Sequence, residues 1–284
     1  MKERTKAWQP LTFGGVARYA HDWLGKLFVT CLTVAIFVAV TVVWTIQRTW
    51  EPVVRGAISR LPDGSAEIKG GRLLARESVR LAENSFLSIA LEPAGEVTST
   101  SDLQVRLAPE ELRFRSLFGI AAFKYPLHWK IPLRRAELQP WWEAWRPAFL
   151  GYLAAGTILF LFASWIALGI VYTLIPIILA GRSRRIGLWS SWKMCVAALM
   201  PGAIFQGMAM ILYAGGRLRI EGILAAFALH FVFGWIFVTG AAFRLPKKEG
   251  NPFQREESAK NPFSSEEDSS EKGKESGADP PPHE

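Results

Sequence analysis

Four long runs of apolar residues dominate the pattern of the chain, and polar segments separate them. The runs cover residues 27–46, 148–180, 192–213 and 223–243. The hydrocarbon core of a bilayer requires about 20 consecutive apolar residues in a helix, and each run reaches that length. The pattern therefore predicts four transmembrane α-helices, at residues 27–46, 148–175, 192–213 and 223–243.

The first run has a second interpretation, a cleaved secretory signal. Its basic lead-in is long, and the residues that follow it, Gln47, Arg48, Thr49 and Trp50, provide no small-residue cleavage site. The sequence therefore favours a retained anchor helix.

The second run is longer than one span needs, and it contains Pro176. Proline lacks an N–H and clashes with the preceding turn, so the helix is expected to kink or end between Tyr172 and Ile175. Two alternatives remain open: the remainder lies along the interface, or the whole run is one strongly tilted span.

Lysine and arginine are concentrated on one side of the predicted spans. They lie in residues 1–26, in the loop of residues 181–191 and directly after the fourth run, whereas the loop of residues 214–222 carries fewer. Basic loops stay in the cytoplasm. The sequence therefore predicts a multi-pass protein of the plasma (inner) membrane, with both termini cytoplasmic and residues 47–147 and 214–222 outside.

The segment outside the membrane shows a different period. Apolar and polar residues alternate there, which predicts half-buried strands at residues 79–81, 87–91, 103–107 and 112–114. Turn-forming residues separate them, so the prediction is a small antiparallel β (α+β) domain. A short helix at residues 51–61 and a helix that begins at Pro140 should join it to the spans.

The chain from residue 244 onward is predicted to be a disordered cytoplasmic tail, because from Pro246 it is polar and rich in Ser, Glu, Lys and Pro. It contains one triplet twice, as Asn251-Pro252-Phe253 and Asn261-Pro262-Phe263. Such turns can serve as docking peptides, but a tail of this composition also yields them by chance, and the compositional explanation is favoured.

The formal net charge of +8 raises nucleic acid as a partner. The basic residues, however, mostly flank apolar runs, where membrane orientation and anionic lipid headgroups explain them. Arg182, Arg184 and Arg185 are the clearest case. The charge therefore predicts contact with the lipid bilayer and not with nucleic acid.

One readily titratable side chain, His230, lies well inside a predicted span. An ionisable residue at such a position is a functional candidate. A transporter or proton relay needs several such groups, and only Gln206 accompanies it. A neutral His230 that is hydrogen-bonded to a neighbouring helix, with Gln206 as the candidate partner, is therefore favoured.

No pattern of catalytic or cofactor-binding residues stands out. Hydrolase, zinc-protease, phosphate-loop and dinucleotide motifs do not occur. Cys31 and Cys195 lie in apolar runs, and His128 has no second ligand nearby, so no metal site is expected. The sequence predicts a protein that is not an enzyme and that has no catalytic, metal-binding or cofactor-binding residues.

The layout resembles a known family. Leu61-Pro62 and the stretches of residues 66–73 and 107–112 are similar to the DUF1189 family of bacterial membrane proteins. The resemblance covers the plan of residues 20–245. It implies one N-terminal span, an outside β-rich segment and a cluster of further spans, with no catalytic residues.

Three functions are compatible with this plan. The first is a non-enzymatic accessory or scaffold protein that presents its outside domain to an envelope or transporter partner. The second is a small transporter or channel that uses His230 and Gln206. The third is a membrane sensor that signals to its cytoplasmic tail. The first is favoured, because an ordered domain without evident chemistry is joined to spans that have few polar groups.

Overall fold

The apolar runs form helices, as their length and composition require. The computed structural model describes residues 9–61, 66–94, 98–180 and 186–245. Its helices are α1 (Phe13–Arg18), α2 (Leu24–Thr49), α3 (Glu51–Ser59), α4 (Arg135–Tyr172), α5 (Leu174–Ala180), α6 (Leu188–Ala214) and α7 (Ile220–Ala242). Four helical segments in this part of the chain are long and apolar enough to cross a membrane: Leu24–Ser59, Arg135–Leu179, Leu188–Ala214 and Ile220–Ala242.

The second apolar run is interrupted at Thr173, within the interval that the Pro176 argument indicated. Its beginning differs from the prediction, since α4 starts at Arg135 and not at Pro140. The extended residue Arg134 caps the helix through its carbonyl oxygen, which accepts hydrogen bonds from the amides of Glu137 and Leu138. The first turn is therefore complete before Pro140 removes one donor.

The helix α6 forms the centre of the helical bundle. It packs against α2, α4 and α7, and α1 packs against α7. Met194, Leu199 and Met200 of α6 are fully buried, together with Trp165 of α4 and Val238 of α7. Because α6 is buried around most of its circumference, it is the element on which the other helices are arranged.

The described residues between α3 and α4 include eight short strands in two sheets. The strands are β1 (Glu67–Lys69), β2 (Arg72–Leu74), β3 (Val79–Glu83), β4 (Leu87–Leu91), β5 (Leu103–Leu107), β6 (Glu111–Ser116), β7 (Gly119–Lys124) and β8 (Lys130–Pro132). One sheet has the order β2-β1-β8, and the other has the order β3-β4-β5-β6-β7. The residues from β1 to β8 are called the β domain below.

The prediction of a purely antiparallel sheet was wrong. Strands β4 and β5 are parallel, with Leu87 opposite Leu103 and Leu91 opposite Leu107. Parallel neighbours need a connection that returns the chain to the starting end of the sheet. The chain between Leu91 and Leu103 makes this return, so the turn-forming residues that separate these two strands do not close a hairpin.

The returning segment also changes which residues are buried. Alternation predicts strands with one face in solvent, but the polar residues Ser88, Gln104 and Arg106 are buried on that face. An Nη1 atom of Arg106 lies 3.5 Å from Glu92 Oε1, and its Nη2 donates to Gln104 Oε1 at 2.6 Å. The prediction of half-buried strands is therefore wrong for β4 and β5, because the connection covers their polar face.

A second polar cluster fixes the same connection to the end of β3. Ser99 Oγ donates to Glu83 Oε1 at 2.7 Å, and Ser101 Oγ lies 3.3 Å from the same atom. Arg80 forms an ion pair with Glu83. The hydrogen bond from Ser99, aided by the nearby charge of Arg80, lowers the pKa of the Glu83 carboxyl below its ordinary value.

This depressed pKa predicts acid sensitivity of the β domain. A carboxylate with a lower pKa in the folded state stabilises the fold above its unfolded-state pKa of about 4.3, and that stability is lost as pH falls through the folded-state value. Hydrogen exchange of the β3 and β4 amides, measured as a function of pH, should show faster opening in acid. The Glu83→Gln variant should show a flatter dependence, and an unchanged acid dependence would contradict this assignment.

Candidate functional site

A large groove in the helical bundle is flanked by α4 and α7. Residues of α2 and α6 form its floor, and its volume is about 520 Å³. The lining is mostly apolar, and its polar side chains include Thr157, Ser164, Gln206 and His230. The structure therefore brings the two intramembrane polar residues of the sequence prediction into one site.

His230 and Gln206 do not act as partners, however. The His230 side chain makes a hydrogen bond with the backbone of Gly202, one turn before Gln206 on α6. A Cβ atom at Gly202 would lie 2.7 Å from the His230 carbonyl oxygen and 2.9 Å from its Nδ1. The two helices meet this closely because Gly202 has no side chain, and the close approach gives the imidazole a backbone partner.

Two residues that line the groove each carry a buried polar atom without a hydrogen-bond partner within the described ranges. These atoms are the indole Nε1 of Trp165, a donor, and Oε1 of Gln206, an acceptor. Both atoms are shielded from solvent, so they do not offer hydrogen bonds to a molecule in the open part of the groove. The groove offers little for an ion, since His230 and Tyr152 are the only titratable side chains among the described residues that line it.

A second feature lies where the β domain meets the ends of α2 and α6. Asn84 Nδ2 donates to the carbonyl oxygen of Thr49 at 2.6 Å. The hydroxyl of Tyr213 donates to Asp102 Oδ2 at 2.7 Å. The ring of Phe86 packs edge-on against Tyr213, with 4.8 Å between the centroids. These residues, called the junction below, attach the start of β4 and β5 to two helix ends.

A charged contact strengthens the same region. Glu51, at the start of α3, is nearly buried, and its Oε1 lies 2.9 Å from both Arg55 Nη2 and Arg146 Nε. The Arg146 N–H does not point along the line to the carboxylate, so this contact is an ion pair without a hydrogen bond at that atom. Glu51 thus joins α3 to α4 beside the junction.

The Tyr213→Phe variant should loosen the β domain without unfolding the bundle. The change keeps the ring contact with Phe86 but leaves the Asp102 carboxylate without the hydroxyl, and a hydrogen bond to a charged group contributes about 1.5–3 kcal/mol. Hydrogen exchange of the amides around Asp102 should therefore accelerate. Tyr152→Phe, at an exposed position on α4, is the control and should leave those amides unchanged. Equal exchange in both variants would contradict this role.

Several predicted site residues are not placed. Arg182, Arg184 and Arg185 and both Asn-Pro-Phe motifs lie outside the described residues. Within the described residues, no group of three or more His, Cys, Asp or Glu side chains is positioned to hold a metal ion. Cys31 and Cys195 are buried and free, at positions inside α2 and α6.

Sequence reasoning missed the junction. Asn84, Asp102 and Tyr213 belong to no sequence pattern that predicts a contact between distant parts of the chain. The hydroxyl and carboxylate that bond there are separated by 111 residues, and no local pattern links them. The one available signal is a tyrosine at the end of an apolar run, which is typical of an interfacial position.

Comparison of the chain with family models, with curated proteins and with solved structures gives no match. The resemblance to the DUF1189 family is therefore neither supported nor contradicted.

Proposed function

We propose that this chain is an integral membrane protein that acts as a non-enzymatic accessory or scaffold protein. Its four apolar helices cross the plasma (inner) membrane, with both termini in the cytoplasm. The β domain lies outside and is presented to an envelope or transporter protein. The basic segments along the sequence support this orientation, and the length and composition of the helices support the crossing.

The junction is the main support for the proposed role as a scaffold. Mobile domains are joined to spans by flexible linkers, whereas this domain contacts helix ends through Asn84, Phe86 and Asp102. In the chain it follows α3 and precedes α4, and α3 packs against β3 and β4. Such attachment holds a domain at a fixed height and orientation, which is what a docking platform requires.

The edge strand β7 is the surface that fits a protein partner. It borders only β6 in its sheet, and all six of its residues are exposed, including Ile120 and Phe123. The opposite edge, β3, has an irregularity between Arg80 and Ala82, and Arg60 donates to its Leu81 carbonyl. A bulge or a nearby cation hinders the pairing of a further strand with a sheet edge, whereas an exposed apolar edge can pair with an added strand of a partner protein.

Affinity capture of the full chain from its native membrane tests this function. Phe123→Lys places a charge on the open edge, and Leu127→Lys places the same charge at an equally apolar, exposed position in the next loop. A partner of β7 should be lost with Phe123→Lys and retained with Leu127→Lys. Removal of residues 62–138 should abolish the same interaction. If the co-purifying proteins are identical in all variants, the β domain is not the docking site.

A second candidate function is favoured by the groove. A small transporter or channel could use His230 and Gln206, which share that site with the unpaired Trp165 donor. The experiment is complementation of a strain that lacks the protein, with His230→Leu and Gln206→Leu compared against Thr33→Val, a polar change on the exposed face of α2. Selective loss in the groove variants would support transport, and full complementation by all three would exclude it.

A further inference from the structure

The hairpin between β6 and β7 ends in an unusual turn. Its two loop residues, Leu117 and Phe118, are 56% and 79% exposed. Tight turns normally contain Gly, Asn, Asp, Ser or Pro, because these residues adopt turn conformations and tolerate water. Two large apolar side chains at the tip of a hairpin therefore indicate an environment other than bulk water.

Strand register locates this tip relative to the helices. Leu103, at the start of β5, is opposite Ser116 at the end of β6, and Ser116 is opposite Gly119 at the start of β7. The tip therefore extends from the same end of the sheet as the start of β5. Neighbouring strands are about 4.8 Å apart, so β7 lies roughly 10 Å to the side of β5.

That end of the sheet is the one attached to the helix ends. Asp102, directly before β5, accepts the hydrogen bond from Tyr213. Tyr213 is the last residue but one of α6, which is one of the four helices long enough to cross a membrane. Leu117 and Phe118 continue past the row of Leu103 and Ser116, so they extend toward the level of the helix ends.

The other end of β7 points away from the helix ends. Lys124 is opposite Glu111, and the following residue, Tyr125, donates its amide to Glu110. Leu127, in the loop beyond, is 81% exposed and is as apolar as the tip. The chain then forms β8 and enters α4. The first residue of α4, Arg135, lies about 20 Å along the helix axis from residue 148, where the apolar run begins, at a rise of 1.5 Å per residue.

We propose that the β6–β7 tip inserts Leu117 and Phe118 into the lipid interface of the outer leaflet, as an additional anchor of the β domain. This inference rests on the proposed crossing of the membrane by the four helices. The tip contacts lipid and not a partner protein, because the junction holds the tip at the level of the helix ends, where the bilayer surface lies. Arg115, which is exposed and adjacent to the tip, is suited to headgroup phosphates.

Depth-dependent quenching in lipid nanodiscs tests the insertion. Single cysteines that carry an environment-sensitive fluorophore are placed in the full chain at Phe118, Leu127 and Leu159, with Cys31→Ala and Cys195→Ala as background. Leu159 is an exposed residue in the middle of the apolar part of α4, and it reports whether the helices lie in the bilayer. Nanodiscs are prepared with and without brominated acyl chains, and the loss of emission is compared among the three positions.

The expected result is loss of emission at positions 118 and 159 and none at position 127. Loss at position 159 alone would overturn the tip insertion while leaving the membrane crossing intact. Absence of loss at position 159 would overturn the crossing itself. Shielding of position 118 from an aqueous quencher without quenching by brominated lipid would also overturn the proposal, because the tip would then contact a protein or a second copy.

Discussion

Replacing Arg106 by alanine is expected to lower the free energy of unfolding of the β domain by about 3–5 kcal/mol, the usual effect of breaking a buried ion pair. Arg106, on β5, is 6% exposed, and Glu92, the first residue of the connection between β4 and β5, is 4% exposed. Without the guanidinium, the Glu92 carboxylate remains buried and loses this cation. The connection should detach, and the β4 and β5 amides should exchange faster in hydrogen-exchange measurements on the full chain.

A paired variant separates charge from packing in this prediction. Arg106→Met together with Glu92→Gln removes both charges and keeps most of the side-chain volume, so it should recover much of the lost protection. Arg55→Met is the surface control, because its pair with Glu51 leaves the Arg55 side chain about half exposed, and such pairs contribute about 1 kcal/mol or less. If Arg106→Ala changed exchange no more than Arg55→Met, the buried pair would not hold the connection in place.

Gly202→Ala is expected to destabilise the contact between α6 and α7 by about 1–3 kcal/mol, the usual cost of overpacking. The added Cβ would lie 2.7 Å from the carbonyl oxygen of His230. That oxygen belongs to the backbone, so the helices themselves must separate. The separation should also weaken the hydrogen bond of the imidazole and widen the groove. The measurement is the midpoint of thermal unfolding of the full chain in detergent.

Gly156→Ala on α4 is the matched control. No atom lies within 4 Å of a Cβ built at that position, and alanine is favoured over glycine in a helix by about 1 kcal/mol. This variant should therefore be as stable as the original protein or more so. A midpoint that falls equally in both variants would mean that the close approach at Gly202 is not what makes its replacement costly.

The helices were predictable because their signal is local and long. A run of about 20 consecutive apolar residues is typical of a helix that spans a bilayer. The four candidate spans of the structure contain nearly all of the four apolar runs of the sequence. The early start of α4 at Arg135 was not predicted, since polar residues precede Pro140 and give no apolar period. In the structure, the amides of Glu137 and Leu138 donate to the carbonyl oxygen of the extended residue Arg134, which begins the helix.

The strands were predictable only where alternation was regular. Strands β3 to β6 coincide with the alternating segments, but β1, β2 and β8 have three residues each, too few to show a period. Strand β7 includes Ala121 and Ala122 side by side and does not alternate. The parallel pairing of β4 with β5 depends on how the connection packs, and the alternation of either strand carries no information on direction.

The groove could be predicted only in part. His230 and Gln206 were identified because polar residues inside apolar runs are rare. The actual partner of His230 is a backbone group of Gly202, and a backbone acceptor leaves no mark in the sequence. The unpaired Trp165 donor was missed as well, since tryptophan in an apolar run is ordinarily interpreted as packing or as part of an interfacial belt.

We infer that the junction holds the β domain in one position on the helix ends. Spin labels at Lys124 on β7 and at Arg217 after α6, both exposed, measure the distance between domain and bundle in nanodiscs. We expect a single narrow distance distribution that broadens when Tyr213→Phe and Asp102→Ala are combined. A broad distance distribution in the protein with an unaltered junction would contradict a fixed position of the β domain. A distribution that does not change in the double variant would contradict the role of the junction.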